Sequence, residues 1–190
     1  MIDSGKSIID EFNQSLTDYI ISHNYKEAIA FGSSKGGTGA LLYGLINPMI
    51  NKTLALVPQV KVVDYIEKHM KKYKILFFPE KSNIFEKDMN EIFFNETIYN
   101  NGFTLNKEIY LYTGIEDDQF EEAVQLSLFL NDKVQNNNFF INTSYKEHNL
   151  IVLDNLDFIE KLLRAIIHDQ KITDERIISI REGIFLLKDK

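Results

Sequence analysis

The pentapeptide Gly32-Ser33-Ser34-Lys35-Gly36 has the Gly-x-Ser-x-Gly form that places a serine nucleophile on a tight turn. A short apolar run at residues 28–31 precedes it, and a helix-like stretch at residues 40–45 follows it. The pattern predicts a strand, a turn and a helix, with the Ser34 Oγ over the helix N-terminus. We expect both flanking glycines to be required, because strand and helix pass too close there for side chains.

The same region also resembles the start of a phosphate-binding loop of nucleotide-hydrolysing enzymes. Such a loop continues with a lysine that contacts the phosphates and a threonine or serine that holds magnesium. This chain has Ala40 and Leu41 at those two positions. When the loop is aligned from Gly32, Thr38 stands where the lysine belongs. The sequence therefore argues against nucleotide hydrolysis.

An acid and a histidine follow two later strand-like runs. Asp117 comes just after residues 108–113, and His148 comes just after residues 139–144. In a triad with Ser34, His148 would take the serine proton as general base, and Asp117 would orient the imidazole. The backbone N–H of Lys35 would then stabilise the developing oxyanion.

Each candidate also has a purely structural interpretation. Ser34 could be an ordinary turn serine, Asp117 could cap the following helix, and His148 could lie on the surface of the next helix. Asp118 and Glu116 are alternative acids, and Asp117 is preferred only for its Gly-x-x-Asp position. The occurrence of the three residues after three strands, in this order, favours the catalytic interpretation.

The elements that must position these residues alternate between helical and extended patterns. Helices are expected over residues 6–22, from the turn at Ser34 to Leu45, over 120–130 and after His148. Strands are expected over 28–31, 53–57, 108–113 and 139–144, with one or two β segments in 176–187. Residues 59–106 are less regular, with a helix near 62–66, an extended piece at 75–78 and an asparagine-rich stretch at 82–106.

This alternation predicts an α/β fold with a mostly parallel sheet and helices on both faces. We expect a single domain over residues 1–190, with an inserted, cap-like segment around residues 59–106. Active sites of such sheets lie at the carboxyl ends of the strands, which is where Ser34, Asp117 and His148 fall.

Composition narrows the classes of function. The net charge is −7, from 21 basic and 28 acidic residues, so a nucleic-acid partner is not expected. The chain has no cysteine, which excludes disulfides, thiolate catalysis and cysteine-bound zinc. His23, His69 and His168 are interpreted as surface or helix-end residues, and no metal or cofactor is expected. The sequence shows no membrane span or signal-peptide core, and a cytoplasmic protein is expected.

At this point the chain resembles the α/β-hydrolase superfamily. The residues from Gly32 to Leu41, then Tyr43-Gly44-Leu45 and Pro58-Gln59, are similar to two bacterial groups. One is the hydrolase-like component of the accessory secretion system, and the other is the XcbB/CpsF group of capsular polysaccharide biosynthesis proteins. The resemblance covers about residues 5–165. It implies an esterase or acyl (acetyl) transferase that acts on a carbohydrate hydroxyl.

The chain departs from the superfamily pattern in the residues before the turn at Ser34. The superfamily normally has several strands there, and one of their loops gives the second oxyanion donor, whereas a single helix precedes Ala28 here. We therefore expect the C-terminal portion of the fold, or a reduced fold with an open sheet edge, completed by a protein partner or a second copy. An inactive hydrolase-like scaffold that binds a partner is the alternative function.

Overall fold

The computed structural model describes residues 2–3, 6–77, 83–170 and 184–187. Strands and helices alternate along most of the chain. The strands are β1 (Ile2–Asp3), β2 (Lys6–Ser7), β3 (Ala28–Ser33), β4 (Ile50–Leu56), β5 (Glu108–Gly114), β6 (Asn136–Asn142) and β7 (Ile184–Leu187). The helices are α1 (Ile8–Ser22), α2 (Lys35–Ile46), α3 (Val62–His69), α4 (Lys74–Phe77), α5 (Asn83–Asn90), α6 (Phe120–Leu130), α7 (His148–Ile151) and α8 (Leu156–Ile167).

The main sheet has five strands in the order β3-β4-β5-β6-β7. The first four are parallel, and β7 joins β6 in the antiparallel direction. The predicted α/β fold with a mostly parallel sheet is therefore confirmed. β7 falls within the tail where β segments were expected, and residues 176–183 of that prediction lie outside the described residues.

Side chains alternate between two buried faces along the central strands, as sheets covered on both sides require. On β5, Ile109 and Leu111 enter one core cluster, while Tyr110 and Tyr112 enter the other. α2 and α6 cover the first face, and α8 covers the second. The expected helices on both faces are present.

Four local predictions were wrong in detail. β4 begins at Ile50 rather than at 53. β6 begins at Asn136 rather than at 139, because the backbone of the three asparagines pairs with the start of β5. The long helix expected after His148 is broken into α7, a single 3₁₀ turn and α8. Residues 75–77 belong to the helical turn α4 and are not extended, and Phe78 lies outside the described residues.

Residues 59–106 join β4 to β5 and divide into two parts. The first part carries α3, which packs against α5 through Val63, Ile66 and Met89. The last part turns inward, so that Phe93 is fully buried in the same cluster as the side chains of α2 and α6. The segment therefore contributes a piece of the core, and α3 also places the Tyr65 ring next to that of His148.

Among the described residues, no helix has the length and apolar character needed to cross a membrane.

Candidate active site

All four parallel strands deliver a polar side chain to their carboxyl ends. Ser34 follows β3 directly, and Gln59 comes three residues after β4. Asp117 comes three residues after β5, and His148 begins α7 beyond β6. Because parallel strands end at the same edge of a sheet, these four side chains converge although they are distant in sequence.

Ser34 lies on a strained turn between β3 and α2. Its φ of 54° and ψ of −122° lie in a region that residues with a side chain rarely adopt. The neighbouring strand β4 holds the turn in place, because the Ser34 N–H donates to the Leu56 carbonyl at 2.9 Å. The sharp reversal presents the Ser34 side chain at the edge of the sheet, as the motif predicted.

The glycines around the turn have unequal roles. A Cβ at Gly32 would lie 2.2 Å from the Gly36 carbonyl oxygen, and a Cβ at Gly37 would lie 2.7 Å from the Leu56 carbonyl oxygen. A Cβ at Gly36 would meet nothing within 4 Å. The expected steric requirement therefore holds at Gly32 but was wrong at Gly36. Gly37 is the second position where strand and helix approach too closely for a side chain.

Ser34, His148 and Asp117 form a continuous series of hydrogen bonds. His148 Nδ1 lies 2.6 Å from Asp117 Oδ2, and His148 Nε2 lies 2.8 Å from Ser34 Oγ. An ionised carboxylate only accepts hydrogen bonds, so Nδ1 carries the proton and donates to Asp117. Nε2 is then the acceptor for the Ser34 hydroxyl. The structure thus brings the three candidate residues into the arrangement that activates a serine.

The acid that reaches the histidine is Asp117. Its side chain is 1% exposed, and its second oxygen accepts the Gln119 N–H at 2.9 Å. Asp117 therefore also holds the backbone just before α6, although the N-cap of that helix is Gln119. The catalytic role of Asp117 stays a prediction. Asp118 points elsewhere: it pairs with Lys68 and with His69 Nε2 at 3.0 Å. The hydrogen bond from Lys68 lowers the pKa of Asp118. Glu116 is exposed at the rim of the site.

Gln59 is a site residue that sequence reasoning did not single out as functional. Its Nε2 donates to Ser34 Oγ at 3.2 Å. Burial raises the pKa of the nearby Tyr65 phenol, and a hydrogen bond from the Gln59 amide acts in the opposite direction. Two signals in the sequence pointed to it: the Pro58-Gln59 pair belongs to the motif that carries the family resemblance, and Gln59 lies just after the second parallel strand, at the same sheet edge as the other candidates.

The predicted oxyanion donor lies at the N-terminus of α2. Lys35 is the first residue of that helix, and the first hydrogen bond to a carbonyl four residues back runs from Thr38 N to Ser34 O at 3.0 Å. The Lys35 N–H therefore belongs to the group of N-terminal donors without a partner of this kind in the helix. Its use as an oxyanion donor stays a prediction. The Lys35 residue is exposed.

A cavity of about 430 Å³ opens beside His148. Its lining is mostly polar and consists of Tyr65, His69, Glu116, Asp118, Glu147, His148 and Asn149. The Tyr65 ring lies 5.6 Å from the His148 ring and 4.6 Å from the His69 ring, centroid to centroid. In the part of the chain that the structure describes, no three His, Asp or Glu side chains are grouped so as to hold a metal ion.

Comparison with known proteins identifies the fold. Neither the protein-family models nor the curated proteins searched by sequence give a match. Among solved structures, a chain of the Glycosylation Associate Protein complex of Streptococcus agalactiae matches with a TM-score of 0.61 and 14% identity, over 84% of this chain and 32% of that chain. An esterase of Pyrococcus furiosus matches with a TM-score of 0.56 and 15% identity, over 86% of this chain and 64% of that chain.

The capsule O-acetyltransferase of Neisseria meningitidis serogroup A is a further neighbour, with a TM-score of 0.51 and 22% identity, over 82% of this chain and 65% of that chain. These likenesses confirm an α/β-hydrolase-like fold, as the resemblance in sequence implied. This chain spans about a third of the length of the first neighbour and just under two thirds of the esterase and the acetyltransferase.

Proposed function

We propose that this chain is a serine-dependent esterase or acyl (acetyl) transferase acting on a carbohydrate or another hydroxyl-bearing substrate. The observation that carries the proposal is the hydrogen-bonded series Ser34–His148–Asp117, with distances of 2.8 and 2.6 Å. A serine on a strained turn at a helix N-terminus, joined to a histidine and a buried carboxylate, is suited to acyl transfer.

In the proposed reaction, Ser34 Oγ attacks the acyl carbon of the substrate while His148 Nε2 takes the hydroxyl proton. Asp117 stabilises the imidazolium that forms, and the Lys35 N–H contributes to binding the oxyanion. Collapse of the tetrahedral adduct releases the alcohol, which takes the proton from His148, and leaves the acyl group on Ser34. Water or an acceptor hydroxyl, deprotonated by His148, then removes the acyl group by the reverse steps.

The surroundings of the site support a hydroxyl-rich substrate. The cavity beside His148 combines the Tyr65 and His69 rings with carboxylate and amide groups, which can pack on and hydrogen-bond a sugar ring. Solved neighbours of this fold include an esterase and a capsule O-acetyltransferase. The volume of about 430 Å³ suits a small substrate or one unit of a larger one.

Labelling with a fluorophosphonate probe and release of p-nitrophenol from p-nitrophenyl acetate test the proposal together. We expect the wild-type chain to be labelled and active, and Ser34→Ala to lose the label and at least ~1000-fold of the turnover. Ser33→Ala, one residue earlier at the end of β3, is the matched control and keeps both. Equal turnover in Ser34→Ala and wild type contradicts the proposal.

A second candidate function, a scaffold that binds a protein partner or a second copy, is favoured by one surface. In the described part of the chain, β3 pairs on one side only, with β4. Phe31 on β3 is 49% exposed, and Phe12 and Tyr19 on α1 are exposed by half or more. An apolar groove of about 490 Å³ runs between α1 and β3.

Sedimentation velocity distinguishes a self-associating scaffold from an independent enzyme. A dimer that dissociates in Phe31→Glu, together with an unlabelled Ser34, favours the scaffold. A monomer that is labelled at Ser34 favours the enzyme.

A further inference from the structure

Gln59 contacts the Ser34 hydroxyl as a hydrogen-bond donor, whereas His148 contacts it as an acceptor. Its Nε2 donates to Ser34 Oγ at 3.2 Å, while Nε2 of His148 accepts from the same oxygen at 2.8 Å. The Gln59 residue is 8% exposed. The buried Gln59 amide donates an N–H to a hydroxyl that already has a hydrogen-bond partner in His148. The contact is therefore not needed to satisfy Ser34, which indicates a specific role for the amide.

The backbone of Gln59 is fixed to the start of α2 through one side chain. Thr38 Oγ1 accepts the Gln59 N–H at 2.8 Å and donates to the Gln59 carbonyl at 3.0 Å. Thr38 lies in the same first helical turn as Lys35, so the two N–H donors near Ser34 share one rigid support.

The approach to Gln59 is strained. Val57, two residues earlier, has a φ of 40°, which is unfavourable for a β-branched residue. Val57 is buried and its N–H donates to the Tyr112 carbonyl at 2.6 Å, so the packing of the sheet holds this conformation. Strained backbone of this kind persists where the surrounding structure enforces it, and it often accompanies a functional site.

We propose that the side-chain amide of Gln59 is the second oxyanion donor of this site, beside the Lys35 N–H. The inference rests on the proposed function. Sites for acyl transfer use more than one donor aimed at the developing oxyanion. Gln59 supplies this donor from the carboxyl end of β4, in a chain whose β3 has no described strand on its outer side.

The amide changes partner as the reaction proceeds. At rest it donates to Ser34 Oγ. When Oγ bonds to the acyl carbon, its proton passes to His148 and the carbonyl π pair moves onto the carbonyl oxygen. That oxygen is attached to the same carbon as Oγ, so the Gln59 N–H reaches it by a small shift. When the adduct collapses, the pair returns to the carbonyl and the leaving alcohol takes the proton from His148. Gln59 exchanges no proton in any step.

Gln59→Met tests the role, since methionine keeps the volume and removes the donor. The rates are measured on phenyl acetate and on the matching thionoester, in which sulfur replaces the carbonyl oxygen and accepts hydrogen bonds poorly. We expect kcat on the oxyester to fall about 100-fold with little change in KM. The rate on the thionoester falls much less, so the oxyester-to-thionoester ratio collapses. Gln125→Met, on the exposed side of α6, is the matched control and keeps both rates.

The outcomes separate this inference from the proposed function. An unchanged ratio in Gln59→Met, whether both rates fall together or neither falls, overturns the inference and leaves a serine-dependent enzyme in place. Gln59→Glu, which keeps the amide's shape but offers an acceptor, provides the second variant if Gln59→Met unfolds by circular dichroism, and the same loss of ratio is expected. A wild-type chain with no Ser34-dependent turnover overturns both.

Discussion

The two ends of the parallel sheet bury polar side chains in opposite ways. At the amino end, Lys107 is 1% exposed, and its Nζ donates to the carbonyls of Asn47 and Ile50. At the carboxyl end, Ser34, His148 and Asp117 are also largely enclosed, but their hydrogen bonds end at a strained serine, and His148 lines an open cavity. The amino end is arranged for stability, and the carboxyl end, called the reactive end below, carries the residues of the proposed reaction.

A second lysine at the amino end, Lys52, is also buried and hydrogen-bonded. Lys52 Nζ pairs with Glu27 at 2.7 Å and donates to the Ile166 carbonyl at 3.2 Å. Burial acts to lower the pKa of Lys52, but hydrogen bonds from its ammonium to Asp169 and Glu27 raise it above the ordinary value. These groups are satisfied by fixed partners. We therefore expect changes there to alter unfolding, and changes at the carboxyl end to alter chemistry first.

After Ser34→Ala, Asp117→Asn gives the largest expected effect. The amide can no longer hold His148 in the tautomer that accepts from Ser34, so ester turnover is expected to fall about 10,000-fold. Turnover of p-nitrophenyl acetate is the measurement. The control is Asp118→Asn, which removes only the pairing with Lys68 and His69 and should cost less than about 10-fold. Comparable losses in the two variants would mean that Asp117 has no special role.

Gly32→Ala tests whether the reactive end also contains a position that the fold itself requires. A Cβ there would lie 2.2 Å from the Gly36 carbonyl oxygen. We expect the free energy of unfolding to fall by about 3 kcal/mol, measured by urea denaturation. Gly36→Ala is the control, because its Cβ meets nothing within 4 Å, and it should stay within about 1 kcal/mol of wild type. A similar loss in both variants contradicts the distinction between the two glycines.

Lys107→Met tests the amino end through pH. Burial lowers the pKa of Lys107 to about 8, from an ordinary value of 10.5. Between these values the unfolded chain holds a proton that the folded chain has released, so the free energy of unfolding rises with pH. The expected rise is about 1.5 kcal/mol between about pH 8 and 9.5, and it disappears in Lys107→Met.

Urea denaturation at the two pH values measures this rise. Lys161→Met, at an exposed position on α8, leaves Lys107 in place and should keep the pH dependence of wild type. A slope that survives in Lys107→Met assigns the effect to other groups.

The smallest expected effect is the difference in stability between Ser34→Gly and Ser34→Ala. Glycine adopts a φ of 54° without the steric cost that a side chain incurs, so Ser34→Gly should be about 1 kcal/mol more stable than Ser34→Ala. Both variants lack the hydroxyl and are expected to be inactive. Thermal unfolding of the pair is the measurement. Equal stability would show that the reactive end stores no strain at this turn.

The sequence predicted the parts of the molecule that depend on local pattern. Ser34, Asp117 and His148 each follow a recognisable strand, so the sheet edge they share could be inferred before any distance was known. The choice between Asp117 and its neighbours rested on spacing alone, because adjacent carboxylates differ only in the direction in which the backbone turns them. That direction is set by the start of α6.

Features that depend on distant packing could not be predicted. The contact of Gln59 with Ser34 depends on the strained backbone of Val57 and on the hydrogen bonds between Thr38 Oγ1 and the Gln59 backbone. Neither feature produces a periodic pattern in the sequence. Asparagine has a low strand propensity, so the start of β6 at Asn136 was not expected from the sequence. It depends on pairing with β5. Gly37, rather than Gly36, is the tight position because of Leu56, a residue on another strand.

The order of the strands also governs when the site comes into existence. Ser34 and His148 are separated by 114 residues, and three parallel strands must dock after β3 before their side chains can meet. Contacts of such long sequence separation form late and slow folding down. A chain emerging from the ribosome would therefore carry an inert serine until β6 is in place. Reactivity of Ser34 toward a fluorophosphonate would then report that the whole parallel sheet has assembled.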